Sequence, residues 1–175
     1  TGIILTVDVS PDGTLIASAG SDNTIKLWDV PKNDPVQTLN AHDAAGTAIA
    51  VSFDGLWIAS GDQSGVLRIW NAESGEKTQE VKLPSAVTHL SWKRDAKQLV
   101  AISGSAMHVL NPADGSTMAV VGVHSTEVTG LVFSPNNAQI WTSGADGLVK
   151  RWPVAFPASV TVTGHKGAVN AFSQS

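Results

Sequence analysis

The stretch Ser18–Asp29 reads SAGSDNTIKLWD, and it is nearly rewritten at Ser60–Asn71 as SGDQSGVLRIWN and at Thr142–Pro153 as TSGADGLVKRWP. Each copy opens on a hydroxyl residue and carries a Trp ten positions later. Outward from these three stretches the spacing is regular. Trp28 and Trp70 lie 42 residues apart, and Trp70 and Trp152 lie 82 apart, which is two steps of 41. His42, His124 and His165 keep the same beat, at intervals of 82 and 41. A fixed period carried independently by two residue types is the signature of a repeat protein.

Within each period the apolar residues alternate every second position. Thr24-Ile25-Lys26-Leu27-Trp28 and Val66-Leu67-Arg68-Ile69-Trp70 read as strands rich in branched and aromatic side chains. Turn signals bound them: Pro11-Asp12-Gly13, Ser21-Asp22-Asn23, Asp54-Gly55, Ser64-Gly65, Glu73-Ser74-Gly75, Asp114-Gly115 and Asp146-Gly147. No segment carries a helical stripe. The first unit therefore predicts an inner strand over residues 5–10, a second over 15–19, a third over 24–29 and an outer one over 36–39. Units follow at about 1–40, 41–83, 84–123 and 124–164, with a fifth opening at 165–175. Four-stranded antiparallel sheets repeated in this way bury both faces only by stacking on one another, and radial stacking into an all-β propeller leaves only short edges.

At this point the residues resemble the WD-repeat β-propeller family. The likeness is literal in Trp28-Asp29, in Gly164-His165 and in Val9-Ser10-Pro11-Asp12-Gly13. It covers essentially the whole chain, and the relaxed repeats and compact SPDG-type turns look similar to bacterial members. The resemblance implies a ring of seven or eight blades and a hydrogen-bonded tetrad in many of them: a His before the inner strand, a Ser or Thr on the second, an Asp in the next turn and the Trp of the third. His124, Thr142, Asp146 and Trp152 supply a full set. His42, Ser60 and Trp70 supply three members, with Ser64 where the Asp is expected, so this tetrad reads as impaired. Ser18, Asp22 and Trp28 supply three more, their His falling just before Thr1. His165 opens the next set. In the third unit Leu83 stands for His and Leu110 for Trp, and apolar packing alone is expected to hold it.

A Trp is a bulky apolar group with one N–H that must be satisfied on burial, and a hydroxyl one hairpin away can accept it. Ser or Thr with His and Asp are also the residues of a hydrolase triad, but a nucleophile needs exposure and an oxyanion hole, and no GxSxG elbow is present. Repetition of the set at one period favours a structural brace over an active site. The repeat histidines would be spread round a ring, too far apart to share a metal ion. His89 falls among small residues on an inner strand, a candidate channel-lining group. Trp57, Trp92 and Trp141 lie outside the tetrad register, and Trp141, beside Thr142, should face the opposite side of its sheet and pack on a neighbouring blade.

The chain has 11 Lys and Arg against 15 Asp and Glu, so no general basic field invites nucleic acid. There is no Cys, which excludes disulfides and thiolate metal sites and leaves the compartment open, with the cytoplasm favoured. No apolar run is long enough to span a bilayer, and TGIILTVDVS lacks a basic region followed by a cleavage site. No glycine pattern forms a nucleotide-binding loop, and no cofactor is expected.

The family resemblance implies a non-catalytic scaffold that binds a peptide or partner protein on its loop-bearing end, with Asp43, Gln63, Glu127 and Lys166 as the contact residues. The alternative is an accessory propeller domain of a larger enzymatic or redox polypeptide. Four blades and the start of a fifth leave apolar faces at each end of the stack, so the ring is expected to be completed by further blades of the same chain or by a second copy.

Overall fold

The structure is a computed structural model that describes residues 2–32, 34–154 and 160–163. Among these the chain forms strands arranged in four separate four-stranded sheets, each in simple sequence order. The first sheet holds β1 (Ile4–Val9), β2 (Leu15–Gly20), β3 (Thr24–Asp29) and β4 (Asp34–Asn40). The second holds β5 (Gly46–Val51), β6 (Trp57–Asp62), β7 (Val66–Asn71) and β8 (Lys77–Lys82). The third holds β9 (Val87–Trp92), β10 (Leu99–Ser103), β11 (Ala106–Leu110) and β12 (Thr117–Gly122), and the fourth β13 (Val128–Phe133), β14 (Gln139–Gly144), β15 (Leu148–Pro153) and β16 (Val160–Thr163). Every pairing is antiparallel. The expected fifth inner strand at 165–175, with His165 and Lys166, lies outside the described residues.

The sheets share one pairing frame between the second and third strands. Ile16 pairs Trp28, Ile58 pairs Trp70, Leu99 pairs Leu110 and Ile140 pairs Trp152, so Leu110 takes the position of the repeated Trp. Each first strand also slips register once near its start, with Leu5, Thr47, Thr88 and Thr129 as the extra residue of a bulge.

First strands lie beside first strands, β1 on β5, β5 on β9 and β9 on β13, so they form the hub. The residues facing the next sheet explain why the stack fans. In the second sheet they are Ala48 and Ala50 on the inner strand, Ala59 and Gly61 on the next, then Leu67 and Ile69 further out. Small side chains near the hub and large ones toward the rim make this interlayer wedge-shaped. The first junction repeats the taper, with Ala17 and Ala19 followed by Ile25, Leu27 and Leu39, packed against Ile49, Val51, Ile58 and Trp70 of the next sheet. The third junction buries Val100, Ile102, Met107 and Val109 against Val128, Phe133, Ile140 and Trp152. One continuous core of the ordinary kind is thereby replaced by three interlayers.

Among the described residues the hub edges of the first strands carry no strand partner, and side chains from neighbouring sheets satisfy part of them. Asp8 accepts the Val51 N–H at 2.7 Å, the Trp92 indole donates to the Ala50 carbonyl at 3.1 Å, and the Thr47 hydroxyl donates to the Val87 carbonyl at 2.7 Å. His89 belongs to the same set. Its ring bonds the Thr88 hydroxyl and the backbone of Thr129 on the next inner strand, so the candidate channel-lining His89 also stitches two sheets.

Candidate functional site

At the end of the sheets where each inner strand begins, a buried chain of hydrogen bonds fastens three elements. In the second sheet the Trp70 indole N–H donates to the Ser60 hydroxyl at 2.9 Å, Ser60 meets His42 Nε2 at 2.8 Å, and His42 Nδ1 meets Asp62 at 3.0 Å. An indole can only donate and an ionised carboxylate can only accept, which assigns every proton between them. Nδ1–H points at Asp62, Nε2 accepts, and the Ser60 hydroxyl gives its proton to the ring while receiving the indole. In the fourth sheet Trp152 donates to Thr142 at 3.0 Å, Thr142 meets His124 Nε2 at 2.9 Å, and His124 Nδ1 meets Asp146 at 2.9 Å.

The second sheet overturns one expectation. Ser64 does stand in the turn, but the carboxylate comes from Asp62, two residues earlier at the end of β6. Ser60 and Asp62 lie two apart on one strand and so face the same side. Asp62 occupies the position of Gly144 in the fourth sheet, where a Cβ would collide with the His124 ring and lie 2.6 Å from Asp146 Oδ1. One sheet thus places the carboxylate on the strand and keeps the turn small, and the other does the reverse. Ser64 donates to Asp62 at 2.8 Å, making it a supporting member. That an acid two residues after the hydroxyl points the same way was legible in the sequence, but fixed spacing from the Trp hid it.

Burial opposes ionisation of Asp62, yet the Ser64 hydroxyl, the Val66 N–H and His42 outweigh it and hold the carboxyl below its usual range. Burial also drives the His42 imidazole below its ordinary value, against the pull of Asp62. Asp146 is likewise held low, His124 and the Leu148 and Ser125 N–H groups outweighing its burial. Hydroxyl, imidazole and carboxylate have the connectivity of a hydrolase triad. Ser60 and Thr142 are nevertheless fully buried, and each hydroxyl already accepts an indole N–H, so neither presents a nucleophile to a substrate.

In the first sheet Trp28 donates to Ser18 at 3.0 Å, while Asp22 accepts the Thr24 hydroxyl at 2.8 Å and the Gly2 N–H at 3.2 Å. In the third sheet Leu83, Ala101 and Leu110 replace imidazole, hydroxyl and indole and are all buried. Packing there is not quite alone, because Ser103 accepts the Ser85 N–H at 2.9 Å and donates to the Ser85 carbonyl at 2.8 Å, a substitute clasp at the position of Asp62.

The fastenings hold loop stems. Gln63 N–H bonds the Ala45 carbonyl at 3.0 Å and Ala145 N–H bonds the Glu127 carbonyl at 2.9 Å, tying the loop before each inner strand to the hairpin beside it. Arg68 donates to the carbonyl of Ala41 and Lys150 to that of Val123 at 2.8 Å, anchoring the residue before each His. Asp43, Gln63 and Glu127 are exposed on these loops, at one end of the stack. Among the described residues no group of three or more His, Asp or Glu could hold a metal ion, and no helix is long and apolar enough to cross a membrane. Trp57 and Trp92 pack in the junction of the second and third sheets. Trp141 lies on the far face of the fourth sheet, half-buried, with Arg151 at 6.0 Å from its ring centre, and the neighbouring blade expected there lies outside the described residues.

Sheets of this topology, fanned about their inner strands and clasped by indole and hydroxyl, define a β-propeller repeat protein. The chain belongs to the WD40 family: the family profile described as "WD domain, G-beta repeat" matches residues 1–29, 33–71 and 115–153. The second match begins before β4 and ends with β7, so the sequence repeat and the sheet are out of phase by one strand. Residues 72–114, which hold the Leu83–Ala101–Leu110 substitution, fall between matches.

Among curated proteins the chain is similar to the B-type cell cycle switch protein ccs52B of Medicago truncatula, 30% identical over 158 residues that cover 87% of this chain and 32% of that protein. It is also similar to Actin-interacting protein 1 of Drosophila melanogaster, 31% identical over 176 residues, covering 95% of this chain and 29% of the relative. The chain thus spans about a third of the length of these relatives. Among solved structures it matches that of U3-55K with a TM-score of 0.89 and 27% identity, covering 97% of this chain and 54% of the other. The WD40 repeats of RRP9 match with a TM-score of 0.88 at the same identity and coverage. The relatives named come from a plant and a fly, and the bacterial look of the turns is not borne out.

Proposed function

We propose that this protein is a non-catalytic scaffold that binds a peptide or partner protein on the loop-bearing end of its sheets, through Asp43, Gln63 and Glu127. The observation that carries this reading is the contrast between stem and tip. The stems are pinned by buried chains such as Trp70–Ser60–His42–Asp62, while the tips are polar, exposed and held at fixed spacing. A rigid scaffold presenting variable loops is how binding residues are ordinarily displayed. The sealed hydroxyls support a structural role for the triad-like groups.

The test is a double charge reversal, D43K/E127K, compared with the native protein in affinity capture followed by mass spectrometry. Captured partners should fall away in the variant while its thermal midpoint stays within a few degrees, because both residues are solvated. Retention of every partner would remove this end from consideration.

A further inference from the structure

The opposite end of the inner strands carries a second feature that the loop-end reading does not use. Pro11, Phe53, Arg94 and Pro135 occupy the same place in the turn that follows each inner strand, flanked by residues with positive φ at Gly13, Gly55, Ala96 and Asn137. Proline at two of these tips is replaced by an aromatic and a cation in the middle sheets. The Arg94 guanidinium lies 4.1 Å from the centre of the Phe53 ring and donates to the Pro135 carbonyl at 3.5 Å, and the Arg94 N–H bonds Asn137 at 3.2 Å. Arg94 is therefore committed to its neighbours, yet Phe53 remains 45% exposed.

Two clefts meet at this place, one of about 320 Å³ reaching from Asp8 to Trp92 and one of about 230 Å³ reaching from Phe53 to Pro135. They share Phe53, Ser91 and Trp92 and so form one groove across the hub, in the size range of ligand sites. Its apolar wall is Phe53, Trp92 and Phe133. Its acid is Asp8, whose carboxyl is pushed above the usual carboxylate range by burial, accepts the Val51 N–H and forms no ion pair among the described residues. Strand addition to β5 is closed off here, because Asp8 already takes the Val51 N–H and Trp92 the Ala50 carbonyl. Recognition must run through side chains.

We propose that this groove docks an extended segment of a partner protein, placing a Lys or Arg side chain on Asp8 and an adjacent apolar side chain against Phe53 and Trp92. Charge complementarity selects the cation: the groove's own Arg already lies over Phe53, and its acid has no cationic partner among the described residues. The six residues of an inner strand span roughly 20 Å, so this site and the loop end are separate surfaces that stand or fall independently.

The probe is a library of acetylated, amidated hexapeptides randomised at every position, passed over immobilised protein and sequenced from the retained pool. Lys or Arg next to an aliphatic or aromatic residue should be enriched, by about tenfold for one charge-assisted contact. D8N, which keeps an oxygen for the Val51 N–H, should lose the basic preference and keep the apolar one, and F53A should lose the apolar preference. D43K/E127K should leave both intact. No enrichment, an acidic preference, or a basic preference unchanged in D8N would overturn the proposal. A preference lost in D43K/E127K but kept in D8N would overturn it while supporting the loop-end site. Sedimentation as a dimer that F53A dissociates would assign the groove to a second copy and overturn it as well.

Discussion

At Ser60 a single hydroxyl oxygen stands between an indole and an imidazole, and its removal orphans both. S60A should therefore lose more stability than S18A, whose hydroxyl meets no imidazole among the described residues; each buried unpaired group costs about 1–3 kcal/mol, and urea unfolding of the two variants checks the order. S64D separates the two descriptions of the second fastening. Spacing from the Trp makes Ser64 the defective member, so Asp there would stabilise. With Asp62 already seated and Ser64 donating to it, a second carboxylate brings like charge, and the urea midpoint should fall. The same residues set a pH dependence. His42 titrates below its unfolded value of 6.5 because burial favours the neutral ring, so between the two values the unfolded chain holds the extra proton. Stability is full above about pH 6.5 and declines as pH falls toward the folded value. Asp62 and Asp146, held below 3.8, add stability that is present above that pH and lost beneath it. An NMR titration of the His42 ring with a midpoint above 6.5 would reverse the sign.

Hairpins are the next level, and their turns are not equivalent. Gly65 closes the β6–β7 turn at φ +93°, and a Cβ there would lie 2.5 Å from the Ser85 carbonyl oxygen and 2.6 Å from that of Leu83, on the loop entering the third sheet. Gly13 turns at φ +72° with nothing within 4 Å. G13A should cost only the left-handed conformation, about 1 kcal/mol. G65A adds a backbone collision between sheets and should cost distinctly more, a difference that parallel denaturation curves will read. A turn glycine in this fold can therefore be a junction residue.

For the whole molecule the decisive quantity is the taper of the first two interlayers. Ala59 sits near the hub between the second and third sheets, and Ile69 sits further out on the same face. A59L would thicken the narrow edge of the wedge and should destabilise by about 1–3 kcal/mol through overpacking, measured by thermal unfolding. A neutral outcome would mean that the fan angle is set by something other than side-chain size. The stack is built from junctions that each tolerate their own chemistry: one is closed around Trp70, one around Leu110 and one around Trp152.

Sequence alone determined the period, the strand order within each unit, the hydroxyl–indole pairing and the all-β stacked architecture. These follow from local alternation, from turn residues and from the need to satisfy a buried N–H, all of which act over one hairpin. Tertiary structure decided which acid completes the second fastening, because Asp62 and a turn Asp reach the same imidazole from different backbone positions and only the packed ring tells them apart. It also decided that His89 is a stitch between sheets, that Asp8 and Trp92 cap the hub edge, and that Phe53, Arg94 and Pro135 meet in one groove. Those contacts join residues some forty positions apart in neighbouring sheets, and no local pattern specifies how far one sheet is turned against the next.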